Sequence, residues 1–193
     1  MDERRSQILE AARRLLRHYG PSKTTIADIA READVGVGTV YLEFDSKEAI
    51  VEELSRVEHE SVLEAMRAAR RRARASFAET FEAVMVARVA AFVRLAAEGQ
   101  HTCELLHCKK TTAVKTASAR YRDEEAAILR ELLADARAEG EIAAADADEA
   151  SRLVQRVFVT LSPPWVFEVR EDEALETTRG LVRLVMFGLL ARR

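Results

Sequence analysis

Seven glycines and three prolines are the strongest chain-breakers in these 193 residues, and their scarcity restricts the fold more than any other feature. Between them run long stretches of Ala, Leu, Glu and Arg, the residues that lose least on entering a helix. The segment FAETFEAVMVARVAAFVRLAA is one of them: Phe77, Phe81, Met85, Val89 and Phe92 recur at four- and three-residue steps, the period of one helix face. With 48% apolar and 33% charged residues, the chain has enough apolar material to fold around a core rather than remain disordered. The expected fold class is all-α.

Punctuation divides the chain into helices. The first helix, over 3–18, has Ile8, Leu9, Ala12, Leu15, Leu16 and Tyr19 on one apolar stripe and stops at Gly20–Pro21. Thr25 opens a second, short helix with Asp28 at capping-box spacing, ending at Asp34. A third covers about 36–44. Ser46 caps a fourth, with Glu48 in its first turn, running to the Arg-rich patch 67–74. Further helices are expected over 76–97, a short piece at 101–110, 119–139 ending at Gly140, a helix capped by Asp146 and disturbed at Pro163–Pro164, and a last one over 173–190. The patch RAARRRAR, Arg67–Arg74, reads as a solvated face paired with nearby acids.

Geometry singles out residues 25–44. Two helices crossing in a helix-turn-helix need a small residue at the crossing, a residue tolerant of left-handed geometry in the turn, and apolar residues that seat the second helix. Ala30, Asp34, Val35 and Val40 meet those needs. The pieces ILEAARRLLRHYG, TTIADIAREADV, GTVYLEF and SKEAI follow in order from Ile8 to about Ile50. In that order and spacing they resemble the amino-terminal domain of the tetracycline-repressor (TetR) family of bacterial transcription regulators. The rest of the chain resembles that family in architecture only. The resemblance implies a helix-turn-helix DNA-binding domain over 1–48. A long helix would join it to an effector-binding and dimerisation domain over 49–193.

The stretch DVGVGTVYLEF departs from the family pattern. The family usually has Gly at Asp34, Ser at Gly36 and Lys at Val37, and polar, aromatic or basic residues at Leu42 and Glu43. The net charge of −3 gives no global pull toward nucleic acid either, although one local face can suffice. Phosphate contacts supply most affinity, and base contacts supply sequence. Candidate phosphate contacts are Thr24 and Thr25 at a helix start, Tyr41 and Lys47, with flanking charge from Arg4, Arg5 and Lys23. Base reading falls to Val37, Gly38, Thr39 and Leu42: the Thr39 hydroxyl can donate or accept at a base edge, and the Thr39 and Val37 methyls can meet a thymine methyl. Val37 reads equally as a buried staple, and Glu43 equally as a solvated charge or as an acceptor from cytosine. The expected partner is double-stranded operator DNA.

In the second domain the resemblance implies a small-molecule effector and a homodimer. Leu181, Val182, Leu184, Val185, Met186, Leu189 and Leu190 cover more than one face of the last helix. With the helix ending near Phe158–Ser162 it can form a symmetric four-helix interface. Phe81, Met85, Arg88, Phe92, Leu105, Tyr121, Phe158 and Trp165 are candidates for an effector pocket, with ordinary core as the competing reading and, for Arg88, either an internal ion pair or a surface residue that snorkels to water. In HTCELLHC, residues His101, Cys103, His107 and Cys108 are weak candidates for metal or thiol sensing, so no metal or cofactor is expected.

No nucleophile–base pair, paired carboxylates, HExxH or phosphate loop stands at catalytic spacing, so the chain does not read as an enzyme. The apolar run around VMVARVAAFVRLAA is broken by Arg88 and Arg94, and MDERRSQ lacks an apolar signal core, so a cytoplasmic protein without membrane contact is expected. The expected function is a ligand-released repressor binding a palindromic operator as a homodimer. The alternative is a TetR-like helical ligand-binding or interaction protein whose reading helix is degenerate.

Overall fold

The computed structural model describes residues 3–73, 76–107, 111–143 and 146–189, with backbone alone for 187–189. No β-strand occurs among them. The helices are α1 (Glu3–Tyr19), α2 (Ile26–Glu32), α3 (Val37–Glu43), α4 (Lys47–Arg72), α5 (Phe77–Ala97), α6 (Thr102–Leu106), α7 (Thr112–Ala138), α8 (Ala147–Val157) and α9 (Glu171–Leu189). Two short 3₁₀ turns, Phe158–Leu161 and Trp165–Phe167, lie between α8 and α9. The all-α expectation holds.

Caps explain most boundaries. Thr25 and Asp28 close a reciprocal box at the start of α2. Ser46 Oγ accepts the Ala49 amide at 3.1 Å and starts α4. Asp146 accepts the amides of Asp148 and Glu149 and starts α8. Gly20 and Gly140 take positive φ, 81° and 75°, just past the ends of α1 and α7, as helix-ending glycines do.

Several boundaries differ from the sequence reading, three of them for a visible physical reason. α2 stops at Glu32, two residues early, because Asp34 adopts φ 51° and turns the chain into α3. α7 begins at Thr112, two turns before the expected 119. Ala113, Val114 and Ala117 are a buried face hidden among threonines and serines. α8 ends at Val157 and tightens into a 3₁₀ turn well before the prolines. Ser162, the residue preceding Pro163, is extended (φ −123°, ψ 159°), as the proline ring demands of its neighbour.

The chain forms two compact units, residues up to 59 with 95–119, and 60–94 with 120 onward. The first is larger than the expected reading head because it takes in α6 and the start of α7. Leu105 and Val114 bury themselves in the same core as Ile8, Leu16, Ile29, Val40, Phe44, Ile50 and Leu54. The core of the second unit includes Phe77, Phe81, Met85, Phe92, Leu129, Leu133 and Phe158.

Candidate nucleic-acid interface

α2 and α3 meet through Asp34. Its left-handed backbone carries the chain from the end of α2, and the Val35 amide returns to the Ala30 carbonyl at 2.9 Å. Val40 is fully buried and seats α3, while Phe44 closes the end of the helix. The outer side of α3 is open. Leu42 is 84% exposed, Tyr41 53% and Val37 44%. Gly38 is exposed too, with no atom within 4 Å of where a β-carbon would stand, and Thr39 is half-buried. Val37 is therefore no buried staple.

The polar candidates around α3 are mostly turned inward. Thr24 is buried, and its hydroxyl donates to the Gly20 carbonyl at 3.0 Å, so it shapes the turn after α1 instead of offering a surface hydroxyl to phosphate. Lys47 is half-buried, and its ammonium donates to the carbonyls of Pro21 at 2.8 Å and Thr24 at 3.1 Å. Its chemistry suggests a phosphate contact; the geometry makes it a clamp between the start of α4 and the α1–α2 turn. Thr25 remains exposed, but Asp28 occupies the helix start beside it, bonded to the Thr25 amide at 3.0 Å and hydroxyl at 2.6 Å. Those hydrogen bonds from Thr25, with Arg31 beyond them, hold the Asp28 carboxyl below its ordinary range. The α2 start thus already holds a negative charge in the place assigned to a phosphate. Arg5 donates to the Glu43 carbonyl and lies 3.9 Å over the Phe44 ring, tying α1 to the end of α3. Gln7, which nothing in the sequence singles out, donates to the Ala33 carbonyl at 2.8 Å and does the same for α2.

Two helices joined by a left-handed turn, the second seated by one valine and bare outside, make a helix-turn-helix. Residues 8–54 match the family model of bacterial regulatory proteins of the tetR family. Over this segment the chain is similar to the DNA-binding domain of that family. Its match to the HTH-type transcriptional regulator TtgR of Pseudomonas putida is 42% identical over 59 residues, 31% of this chain but only 28% of that regulator. Beyond the head the likeness is one of fold. A transcriptional regulator of the TetR/AcrR family from Thermobifida fusca superposes over 100% of both chains with TM-score 0.71 and 22% identity. The regulator FadR from Bacillus subtilis, solved in complex with stearoyl-CoA, covers 95% of this chain and 98% of its own, with TM-score 0.71 and 21% identity.

The pocket candidates separate between the two units. Phe81, Met85, Arg88, Phe92, Tyr121 and Phe158 are all buried in the second unit. Phe81 and Phe158 pack edge to face at 6.4 Å, and so do Phe92 and Tyr121 at 5.7 Å. Leu105 does not join them, because it belongs to the core of the first unit. Trp165 is 47% exposed on the second 3₁₀ turn rather than lining an interior. Arg88 forms an internal ion pair with Glu125 and also donates to the Leu161 carbonyl at 3.0 Å and to Ser162 Oγ at 2.6 Å. Glu125 further accepts from the Tyr121 hydroxyl at 2.9 Å and Gln155 Nε2 at 2.8 Å. Burial alone would pull the Arg88 pKa down; Glu125 and Tyr121 outweigh it, and the net direction is upward. Burial pushes the Tyr121 phenol well up, so it stays a donor. Tyr121 and Glu125 stand four apart in sequence, the one signal that could have linked them beforehand; Gln155 and Ser162 carried none.

The Cys/His segment is not gathered into a site. His101 pairs with Glu104 at 2.6 Å and sits against Gly20, Cys103 and His107 are half-buried, and Cys108 lies outside the described residues. Among the described residues, no group of three or more His, Cys, Asp or Glu is placed to hold a metal. Three arginines of the Arg-rich patch are paired with acids, as expected: Arg67 with Glu60 (2.6 Å), Arg70 with Glu131 (2.6 Å) and Asp135 (2.7 Å), and Arg71 with Glu64 (2.5 Å); Arg72 is exposed, and Arg74 lies outside the described residues.

Proposed function

We propose that the protein is a transcription regulator that binds double-stranded operator DNA through α3 and acts as a repressor released by a small molecule. One observation carries this reading: the outer side of α3, in the segment matching the tetR-family model, is exposed at Val37, Gly38, Tyr41 and Leu42 while its inner side is fixed by Val40. Tyr41, Val37, Gly38, Thr39 and Leu42 form the contact set. Lys47 and Thr24 support it from behind.

A homodimer is part of the proposal. Leu153 and Val157 on α8 and Leu184 on α9 are 53%, 42% and 68% exposed, an apolar surplus that pairing with a second copy would bury. Two-fold pairing would set two α3 helices roughly 34–36 Å apart, one DNA turn, against a palindromic site. The effector would lodge among Phe81, Met85, Phe92, Tyr121 and Phe158, with Arg88 as its polar contact. The FadR complex with stearoyl-CoA is a precedent for a ligand within this fold. Release needs only a shift in populations, and about 2.7 kcal/mol of differential affinity weakens DNA binding a hundredfold. The proposed location is the cytoplasm; no helix among the described residues is long and apolar enough to cross a membrane.

A second reading, a ligand-binding relative that no longer reads DNA, draws support from the inward turn of Thr24, Lys47 and Arg5. Mobility-shift titration against DNA upstream of the protein's own gene separates the two. The regulator reading expects a shift at low salt that weakens steeply as salt rises and a dimer by sedimentation. A monomer that shifts no upstream fragment at low salt would leave only the second reading.

A further inference from the structure

Opposite Val40, α3 presents a ridge of two residues. Each helical residue advances about 100°, so Gly38 and Leu42, two residues either side of Val40, flank the direction pointing straight out of the head. Leu42 is the most exposed of the large apolar side chains described, at 84%. Gly38, one turn before it, carries no side chain and has open space around it. The helix holds no Lys or Arg, and its one acid, Glu43, lies off this ridge with its carbonyl held by Arg5.

Base edges in a major groove offer hydrogen-bond donors, hydrogen-bond acceptors and a single kind of apolar group, the 5-methyl of thymine. A leucine can satisfy neither donor nor acceptor. Placed against guanine, cytosine or adenine, it strips water from polar edges without replacing the lost hydrogen bonds, which disfavours those bases. We propose that Leu42 is a specificity-determining residue that selects thymine through its 5-methyl group, and that Gly38 admits it by letting the α3 backbone approach the base edges. The proposal rests on the DNA-binding reading above and names the chemistry that reading left open. A protein partner would also cover Leu42, but the ridge lies on the second helix of a helix-turn-helix within the segment that matches a family of regulatory proteins, so the occupant assigned is the thymine edge.

The test uses full-length protein and a duplex recovered by it from sheared genomic DNA. Thymines in each half-site are replaced singly by deoxyuridine, which pairs with adenine in the same way but lacks the methyl. Wild-type protein is expected to lose about three- to fivefold in affinity at one or two positions per half-site, the loss of roughly one buried methyl. Leu42→Ala, whose parent side chain makes little contact within the head, is expected to bind the thymine and uracil duplexes equally. Wild-type indifference to every uracil substitution, or undiminished discrimination by Leu42→Ala, overturns the proposal while DNA binding stands; in particular, indifference is the outcome if a protein covers the ridge. Failure to recover any DNA overturns both readings together.

Discussion

In the head, Arg5, Gln7, Thr24 and Lys47 all reach backbone carbonyls at turns or helix ends, and the outward face of α3 is left to Val37, Tyr41 and Leu42. In the second unit the arrangement is reversed: Arg88, Glu125 and Tyr121 sit in the interior, while Leu153, Val157 and Leu184 lie outside. The two regions use similar residues for different purposes. A reading head works only if its short helices are rigid, and seven-residue helices such as α2 and α3 are too short to hold themselves, so polar side chains tie their ends. An interior charge pair does not help a core in that way. It is costly to desolvate and tolerable only when each member is bonded, as Arg88 and Glu125 are. Such a pair makes the second unit sensitive to anything that competes for either partner.

The contrast can be broken most forcefully in the second unit. Glu125→Ala leaves Arg88 buried without its carboxylate and is expected to cost about 3–5 kcal/mol in urea unfolding. Arg88→Met combined with Glu125→Leu should recover most of that loss, because the pair is replaced by apolar contact. If the single change costs under about 1 kcal/mol, the interior pair does not matter as argued. In the first unit, Gly99→Ala comes next. Its β-carbon would stand 2.8 Å from both the Arg17 β-carbon and the Arg17 carbonyl oxygen, so α1 or the α5–α6 turn must shift. About 1–3 kcal/mol is expected from the melting curve. Lys47→Met removes the ammonium bridging Pro21 and Thr24 and should cost about 1–2 kcal/mol, with faster hydrogen exchange in α2. A DNA defect without that loosening would return Lys47 to the role of a direct phosphate contact.

Much of this was legible in the sequence, and the part that was not has a common cause. The Thr25–Asp28 box, the stops at Gly20 and Gly140, and the left-handed turn at Asp34 depend on local chemistry, so residue type and spacing were enough to find them. What a polar side chain faces depends on elements distant in the chain. Thr24 and Lys47 have the right chemistry for phosphate, yet the turn after α1 comes close enough to take both. Leu105 misled for the same reason, since an apolar residue gives no sign of which unit will bury it. Arg88 was readable as an ion pair because its flanks are apolar, although its partner was not.

The smallest expected effect concerns Glu58. Burial pushes its carboxyl above the ordinary value, with Arg17 and Arg13 opposing. The folded head therefore binds that proton more readily than the unfolded chain. The linked stability is fully present below the ordinary carboxylate range and is lost as pH rises through the raised value. The melting-temperature advantage of wild type over Glu58→Gln should shrink as pH rises from the ordinary carboxylate range through the raised value; a widening gap would reverse the assignment.

Leu42→Asp tests most directly whether the outer ridge of α3 is where DNA is met. The side chain is so exposed that unfolding stability should stay within about 0.5 kcal/mol of wild type. A carboxylate there faces both phosphate and base acceptors, so recovery of genomic fragments should be lost. A stably folded Leu42→Asp protein that retains the wild-type fragments with wild-type affinity would contradict the account.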